Sequence, residues 1–514
     1  MATDLAVGIG NEGALRTSLA ATLLARLSGV RGGLLAECGY VALLRYMGCS
    51  GYAHEEALIG AGDDRAMLAA LEIVDVGKPT TLISAAFTRL ARNEGFVARA
   101  RAIARLLSDP RGYANMTRAH CEQAASLAGT LGLRSEIVRA MNELYERWDG
   151  RGQPSHAKGE AISVPARITH VANVAEIHMR AGGPTAAVAA LRERSGGQLD
   201  PSLVDVFLKH APEIIGTLAA PSVWDDWVAA IPEIPWDPPD DPVVTIALAF
   251  GRYADLKCPT RLGHSEAVAE LCQRVAKRAR LPDDVSRALS IAALLHDLGL
   301  VSVPNGILDK PGPLNSGETE RIRDHAGHAA RILGRTETLA PFVALASADH
   351  ERLDGRGYPS AKRGDALDVS ARILAVCDAF HAQIEPRAWR EPRTERDALT
   401  ELGRDANAGR LDREALGWLA EVLGQENAVP RTVGPDGLSE REVEVLVHLA
   451  RGRSNKEIGR RLFISPRTVQ EHVRHFYKKT GVSSRAAAAL YATQHGLVGR
   501  FADYERSTKP RGRG

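Results

Sequence analysis

The sequence predicts an all-α protein, and three observations carry the prediction. Alanine, leucine and arginine, all good helix formers, are abundant, while aromatic residues make up only 5%. Apolar residues recur at three- and four-residue spacing, as in Val268, Leu271 and Val275 and then Ala288, Ala292 and Leu295. The phrase "YERWDGRGQP" at 145–154 returns almost unchanged as "HERLDGRGYP" at 350–359, so a helical unit holding the first is expected to occur twice.

A chain of 514 residues exceeds one ordinary core, and a prior of about 100–200 residues per domain gives about three domains. "IPEIPWDPPDDPV" at 231–243 combines five prolines with four acids, removing helix propensity and backbone donors together. "VPRTVGPDG" at 429–437 marks a second break. The predicted organisation is therefore a domain at 1–230, a linker at 231–243, a domain at 244–428, a linker at 429–437, a domain at 438–501 and a basic tail at 502–514.

The repeat extends well beyond the shared phrase. At an offset of 205, His120 falls on His325 and "AISVPARITHVANVAEIH" at 161–178 runs beside "ALDVSARILAVCDAFHA" at 366–382. Nearer the start of each copy the offset becomes 251, placing "VALLRYMG" at 41–48 under "AALLHDLG" at 292–299. The first copy thus carries 46 additional residues in its middle.

Bulk properties exclude several classes. The net charge of +2 gives no global basic field, so a nucleic-acid role must sit in a local patch. Six scattered cysteines without a C-x-x-C pair suggest neither a zinc ribbon nor a disulfide framework and point to a reducing cytosol. The N-terminal "MATDLAVGIGNEG" does not read as an export signal, and no uninterrupted apolar run approaches about 18 residues. A cytoplasmic location without a membrane partner is expected.

The second copy contains the parts of a metal site. His296 and Asp297 follow the apolar run "IAALL", and they are joined by His264, His325, Asp349, His350 and Asp378. Imidazoles and carboxylates in this mixture suit iron, manganese or another borderline divalent ion, and Asp297 is placed to bridge two. Two such ions would clamp a phosphate and activate water. Any one of these histidines alone would read as a satisfied core residue; their joint order separates them from that reading.

That order, together with "ILDKPGPL" at 307–314 and "DGRGYP" at 354–359, resembles the HD-GYP branch of the HD-domain metal phosphohydrolases over about residues 250–395. The resemblance implies an all-helical fold, a centre of two or three metals and hydrolysis of cyclic di-GMP, with the loop bearing Tyr358 close to the site. It implies that His264, His296, Asp297 and Asp378 hold one metal and that His325, His350 and the bridging Asp297 hold another, with His296 and Asp297 central to catalysis. It further implies that Arg387 and Arg390 in "EPRAWRE" face the ligand phosphates, where guanidinium forks suit oxyanions.

Three positions depart from the family pattern. Leu300 in "HDLGL" replaces the family lysine, which would lie one helical turn from His296 and stabilise charge on phosphate. Asp349 precedes His350 where the family has a double histidine, and Thr260 stands where some members have a glutamate ligand. In the first copy the alignment replaces His264 by Gly13, His296 by Arg45, Asp297 by Tyr46, His350 by Tyr145 and Asp378 by Asn173. The first copy is thus expected to keep the fold and lose the metal.

Residues 438–500 change character, with twelve Lys or Arg against five Asp or Glu, a local +7 that leaves −5 elsewhere. Ser439 with Glu442 and Ser454 with Glu457 read as capping boxes, and Ser465 before Pro466 as a third helix start. The short turn "LFIS" between the second and third segments has helix-turn-helix spacing. The wording resembles the LuxR-type (GerE-like) helix-turn-helix, which implies four helices, a recognition helix at about 466–479 and a last helix at about 484–495 that pairs subunits on double-stranded DNA. Gln470, Glu471 and Arg474 are the expected base-edge residues, with Arg467, Thr468, Lys478 and Lys479 on phosphates.

The full expectation is two tandem HD-GYP-like helical domains followed by a four-helix LuxR-type domain. Three functions follow from it: a homodimeric regulator whose helical domains form a metal- and cyclic-dinucleotide-dependent sensor; a metal-dependent cyclic di-GMP phosphodiesterase that also binds DNA; or a catalytically dead scaffold.

Overall fold

The computed structural model describes residues 2–10, 12–90, 95–109, 111–233, 236, 241–429 and 434–498. The expected tail at 502–514, the end of the 438–501 domain and parts of both linkers lie outside the described residues. Among the described residues the regular elements are α- and 3-10 helices, and β pairing is confined to isolated bridges.

The chain forms two compact units, Met1–Thr394 and Glu395–Gly514. This division falls earlier than the expected boundary at 428, because helices Glu395–Asn407 and Arg413–Val422 group with the C-terminal unit. The linker expected at 231–243 is shorter too. Asp241 caps a helix that begins at Pro242, accepting from Val243 N at 2.9 Å, and a proline at the first helical position loses no needed donor.

Within the first unit the two copies fold alike. Helix Gly13–Leu27 pairs with Gly33–Leu44, as His264–Arg278 pairs with Asp283–Leu295. A 3-10 turn follows in each copy (Cys49–Tyr52 and Leu298–Ser302), crossed by a long helix (Gly112–Thr130 and Ser316–Leu333). The crossing is so close that a Cβ on Gly48 would stand 1.8 Å from His120 O, and one on Gly299 1.9 Å from His325 O. Glycine is the residue that permits it.

The doubled phrase is one turn built twice. Arg147 Nε donates to Asp149 Oδ1 at 3.2 Å, and Arg352 Nε to Asp354 Oδ1 at 3.0 Å. Glu146 accepts from Ser155 N at 2.7 Å, and Glu351 from Ser360 N at 2.7 Å. The peptide bonds before Pro154 and Pro359 are both cis.

The additional residues of the first copy form helices Asp64–Glu72, Pro79–Thr88 and Phe96–Ser108. The first of these clasps the second copy. Buried Asp64 pairs with buried Lys257 and accepts from Asn305 N at 2.9 Å. Arg65 Nη1 donates to Ser302 O at 2.6 Å, and Gly306 N to Gly62 O at 2.8 Å.

One stretch, Asp283–Ser302, is long and apolar enough to cross a membrane by length and composition, and most of it is buried inside the fold. Leu289, Ile291 and Leu295 there are completely buried and belong to the core of the second copy.

The C-terminal unit contains Glu440–Ala450, Asn455–Leu462, Pro466–Thr480 and Arg485–Gln494. Both capping boxes form, with Ser439 accepting from Glu442 N and Ser454 from Glu457 N, while Ser465 caps the third helix. Leu446, Val447, Ile458, Val469 and Phe476 close one apolar core with Tyr491. Removing these side chains from water contributes roughly 1.5–3 kcal/mol each.

Candidate metal centre and nucleic-acid interface

The second copy gathers its histidines and aspartates from five elements. Asp255 fixes the start of helix His264–Arg278 by accepting from Ser265 N at 2.9 Å and Ser265 Oγ at 2.8 Å, which sets His264 at the first turn. His296 and Asp297 stand where helix Asp283–Leu295 ends and the 3-10 turn begins. His325 projects from Ser316–Leu333, Asp349 and His350 follow Val343–Ala346, and Asp378 lies in Val369–Ile384, which Asp368 caps.

These side chains converge. His264 Nε2 is 3.2 Å from Asp378 Oδ1 and 3.5 Å from Asp297 Oδ2; His296 Nε2 is 3.2 Å from Asp297 Oδ2 and 3.6 Å from Asp378 Oδ1. His325 Nε2 lies 3.8 Å from Asp297 Oδ1 and 3.9 Å from Asp349 Oδ2, and His350 Nε2 3.1 Å from Asp349 Oδ2. Their ligand atoms form metal-sized groups: His264, His296 and Asp378; His325, Asp349 and His350; and His296, Asp297 and Asp349. Asp349 is shared by the last two groups, so it joins the two halves of the cluster as much as Asp297 does.

The donor set fits a divalent metal. His296 Nδ1 is tied to Ala293 O at 2.7 Å and His325 Nδ1 to Ile322 O at 2.6 Å, which leaves both Nε2 atoms as acceptors aimed inward. Those two Nε2 atoms and both carboxylate oxygens of Asp349 are buried without a hydrogen-bond partner. Orphaned buried acceptors are costly unless a cation satisfies them. Burial opposes the charge on Asp378 and Asp349, yet the hydrogen bond from His264 to Asp378 and the positive charge of His350 beside Asp349 hold both carboxyls below the usual range, Asp378 far below it.

The centre opens on a pocket of about 340 Å³ bordered by Arg261, Leu300, Tyr358, Arg387 and Arg390. Tyr358 stacks on His350 at 4.7 Å between ring centroids. Arg387 Nη2 pairs with Glu385 at 2.8 Å. Arg390 differs from expectation, because its guanidinium is spent on Gln383 O and Ala382 O, both at 2.7 Å, where it ends helix Val369–Ile384. Positions 296 and 300 are not one α-turn apart, since the α-helix stops at Leu295. Leu300 instead packs with Val303 and Ile307.

Three residues here escaped the sequence reading. Arg261 pairs directly with Asp297 and lies half-buried beside the metal cluster. Glu385 Oε2 accepts from His264 Nδ1 at 3.0 Å, and its Oε1 lies 3.1 Å from His381 Nδ1. The spacing of His381 and Glu385, i and i+4 after Asp378, was a readable signal for Glu385; Arg261 had none.

The first copy differs at every aligned ligand but one. His120 Nδ1 is 2.8 Å from Tyr145 Oη, and its Nε2 lies 3.1 Å from the buried Glu56 Oε1. Arg45 lies over the Tyr46 ring at 4.0 Å. The metal-sized groups of His, Cys, Asp and Glu found among the described residues all belong to the second copy.

On helix Pro466–Thr480, Arg467, Gln470, Glu471, Arg474, Lys478 and Lys479 are exposed while Val469 and Phe476 are buried. Arg467, Gln470, Glu471 and Arg474 border one groove with Tyr477, a residue the sequence reading did not single out. Two expected phosphate contacts have internal partners: Lys479 Nζ pairs with Glu442 at 2.6 Å, and the Thr468 hydroxyl lies 2.9 Å from Ser465 Oγ.

Comparison with known proteins agrees with both halves. A model described as "HD domain" matches residues 110–203 and 250–415, and one described as "Bacterial regulatory proteins, luxR family" matches 436–492. The chain is 31% identical over 397 residues to 3'3'-cGAMP-specific phosphodiesterase 3 of Vibrio cholerae, covering 76% of this chain and 85% of that protein. It is 37% identical over 129 residues to a cyclic di-GMP phosphodiesterase of Pseudomonas aeruginosa, covering 25% of this chain and 31% of that one. A crystal structure of a cyclic GMP-AMP specific phosphodiesterase from V. cholerae superposes with a TM-score of 0.52 at 26% identity, over 82% of this chain and 95% of that chain. Matches on both copies, the shared helical topology and the C-terminal helix-turn-helix together establish that the chain belongs to the HD-domain family, in tandem form, joined to a DNA-binding domain of the luxR family.

Proposed function

We propose that this protein is a homodimeric transcription regulator whose second HD copy holds divalent metal and senses a cyclic dinucleotide, biasing the hold of the LuxR-type domain on double-stranded DNA. The observation that carries the reading is the set of unpartnered buried acceptors, His296 Nε2, His325 Nε2 and both oxygens of Asp349, in a chain that also presents a basic recognition helix.

His264, His296, Asp297 and Asp378 would hold one ion and His325, Asp349 and His350 a second, with iron or manganese suited to these donors. Such ions supply Lewis-acid polarisation of a phosphoryl oxygen. Arg387 and Arg261 stand where phosphate oxygens would enter, and Tyr358 offers an aromatic face to a base. Relatives named for cyclic GMP-AMP and cyclic di-GMP support a cyclic dinucleotide as the ligand class. On DNA, Gln470, Glu471 and Arg474 would meet base edges, and Arg467 and Lys478 phosphates. The exposed Leu490 on the last helix supports pairing of two subunits there.

A second reading, metal-dependent cleavage of the cyclic dinucleotide, is favoured by Arg261. Its guanidinium beside Asp297 places a fixed positive charge near the centre, which Leu300 does not supply.

The test uses the full chain loaded with Mn²⁺, DNA fragments selected from genomic DNA by the protein itself, and 3'3'-cGAMP and cyclic di-GMP as ligands. Nucleotide binding that changes DNA affinity without turnover is expected for the sensor. Turnover lost in His296→Ala and Asp297→Ala would establish the phosphodiesterase instead. Metal-free protein that binds no nucleotide would leave the scaffold.

A further inference from the structure

The first copy has a cavity where the second has its metal centre. It measures about 130 Å³, and its wall includes Arg45, Tyr46, Tyr145 and Asn173, the counterparts of His296, Asp297, His350 and Asp378. A guanidinium has thus taken the place of a metal ligand.

One arm of that guanidinium has no acceptor. Arg45 Nη1 is buried without a hydrogen-bond partner, and so are Thr169 Oγ1 and Asn173 Oδ1 on the same wall. Thr169 is 1% exposed. Two carboxylates share the cavity wall: Glu72 is bonded to the Tyr46 hydroxyl and to Arg180 at 3.1 Å, and Glu146 Oε1 accepts from Ser155 N at 2.7 Å, while Glu176 nearby pairs with Arg180 at 3.1 Å. A buried guanidinium N–H without an acceptor is costly, and an arginine does not escape it by losing its proton.

We propose that this cavity is a binding site for a small organic anion, with a carboxylate or phosphate head on Arg45 Nη1 and Thr169 Oγ1 and a hydroxyl or amino donor on Asn173 Oδ1. The volume sets the ligand's size. It equals the liquid volume of about four waters and lies below the roughly 300–1,000 Å³ of sites for larger ligands, which suits a small anion rather than a cyclic dinucleotide. The site is therefore distinct in ligand from the second copy and does not depend on whether that copy cleaves its own.

Position gives the site a role. Leu68, Leu71 and Glu72 of helix Asp64–Glu72 line the cavity, while Asp64 at the other end of that helix holds Lys257 and Asn305 of the second copy. A ligand bound at one end adds its binding energy to the folded arrangement that the other end secures.

The experiment titrates the full chain with glycerate, glycerol 3-phosphate and inorganic phosphate, with glycerol as the neutral control, reading heat of binding and the thermal midpoint. One of the anions is expected to bind at one site per chain and raise the midpoint, with affinity at least about tenfold lower in Arg45→Met and in the near-isosteric Thr169→Val. Metal content of the second copy should be unchanged in both variants. A carboxylate or a phosphate ligand is identified by which probe binds. No binding of any anion at millimolar concentration, or binding that persists unchanged in Thr169→Val and Arg45→Met, would overturn the proposal.

Discussion

Replacing Glu385 should weaken metal binding although Glu385 need not touch the metal. Its Oε2 accepts from His264 Nδ1 at 3.0 Å while His264 Nε2 points at Asp378 Oδ1, 3.2 Å away. The carboxylate thereby fixes both the tautomer and the orientation of the ring. In Glu385→Gln one acceptor remains but its charge is gone, and a hydrogen bond to a charged group exceeds a neutral one by about 1–1.5 kcal/mol, or roughly tenfold. Glu385→Ala also frees the ring, so the loss should approach the upper part of the roughly 10–100-fold range for such partners. The assay is competition of the full chain against a chelator for Mn²⁺, with thermal unfolding to verify the fold. A folded Glu385→Ala protein whose affinity stays within about twofold of the parent would refute the reasoning.

Other consequences follow from the same structure. Asp64→Ala strands the buried Lys257 and should cost about 3–5 kcal/mol in urea unfolding of the first unit, whereas a surface pair such as Lys78 with Glu193 should cost about 1 kcal/mol or less. Burial depresses His170 to about 4, so the folded state resists a proton that the unfolded chain accepts near 6.5. Its contribution is complete above pH 6.5 and is lost as pH falls toward 4, by about 3 kcal/mol at the limit, and His170→Gln should flatten that part of the stability–pH curve. Arg474→Ala should cost about 1–3 kcal/mol of specific DNA binding and relax sequence preference, while Lys478→Ala should weaken all sequences alike and lower the salt slope by about one. DNA binding with no salt dependence would contradict the interface.

The all-helical fold was legible because it rests on periodicity and caps. The Ser439 and Ser454 capping boxes and the Ser465–Pro466 start lie where local chemistry alone places them. The duplication was legible from the repeated turn, whose Arg–Asp and Glu contacts recur atom for atom. The cluster residues stood out as residue types, but their partners did not. Arg261 reaches Asp297 through tertiary packing, and Arg390 borders the pocket while bonding the carbonyls of Ala382 and Gln383 at the preceding helix end. Spacing alone puts position 300 one helical turn from His296, but the helix ends at Leu295 before the close crossing at Gly299. The unit boundary at Thr394 was hidden because helix Glu395–Asn407 has no proline-rich segment before it comparable to 231–243.

The central claim is that the second copy is a metal-dependent cyclic-dinucleotide site. Metal analysis with cyclic di-GMP binding on the full chain, compared with the His296→Ala/Asp297→Ala double variant, tests it most directly. About two divalent ions per chain and nucleotide binding are expected in the parent, with both lost in a variant that still folds. Nucleotide binding of equal strength in the folded double variant, or a parent chain that takes up neither Mn²⁺ nor Fe²⁺, would contradict it.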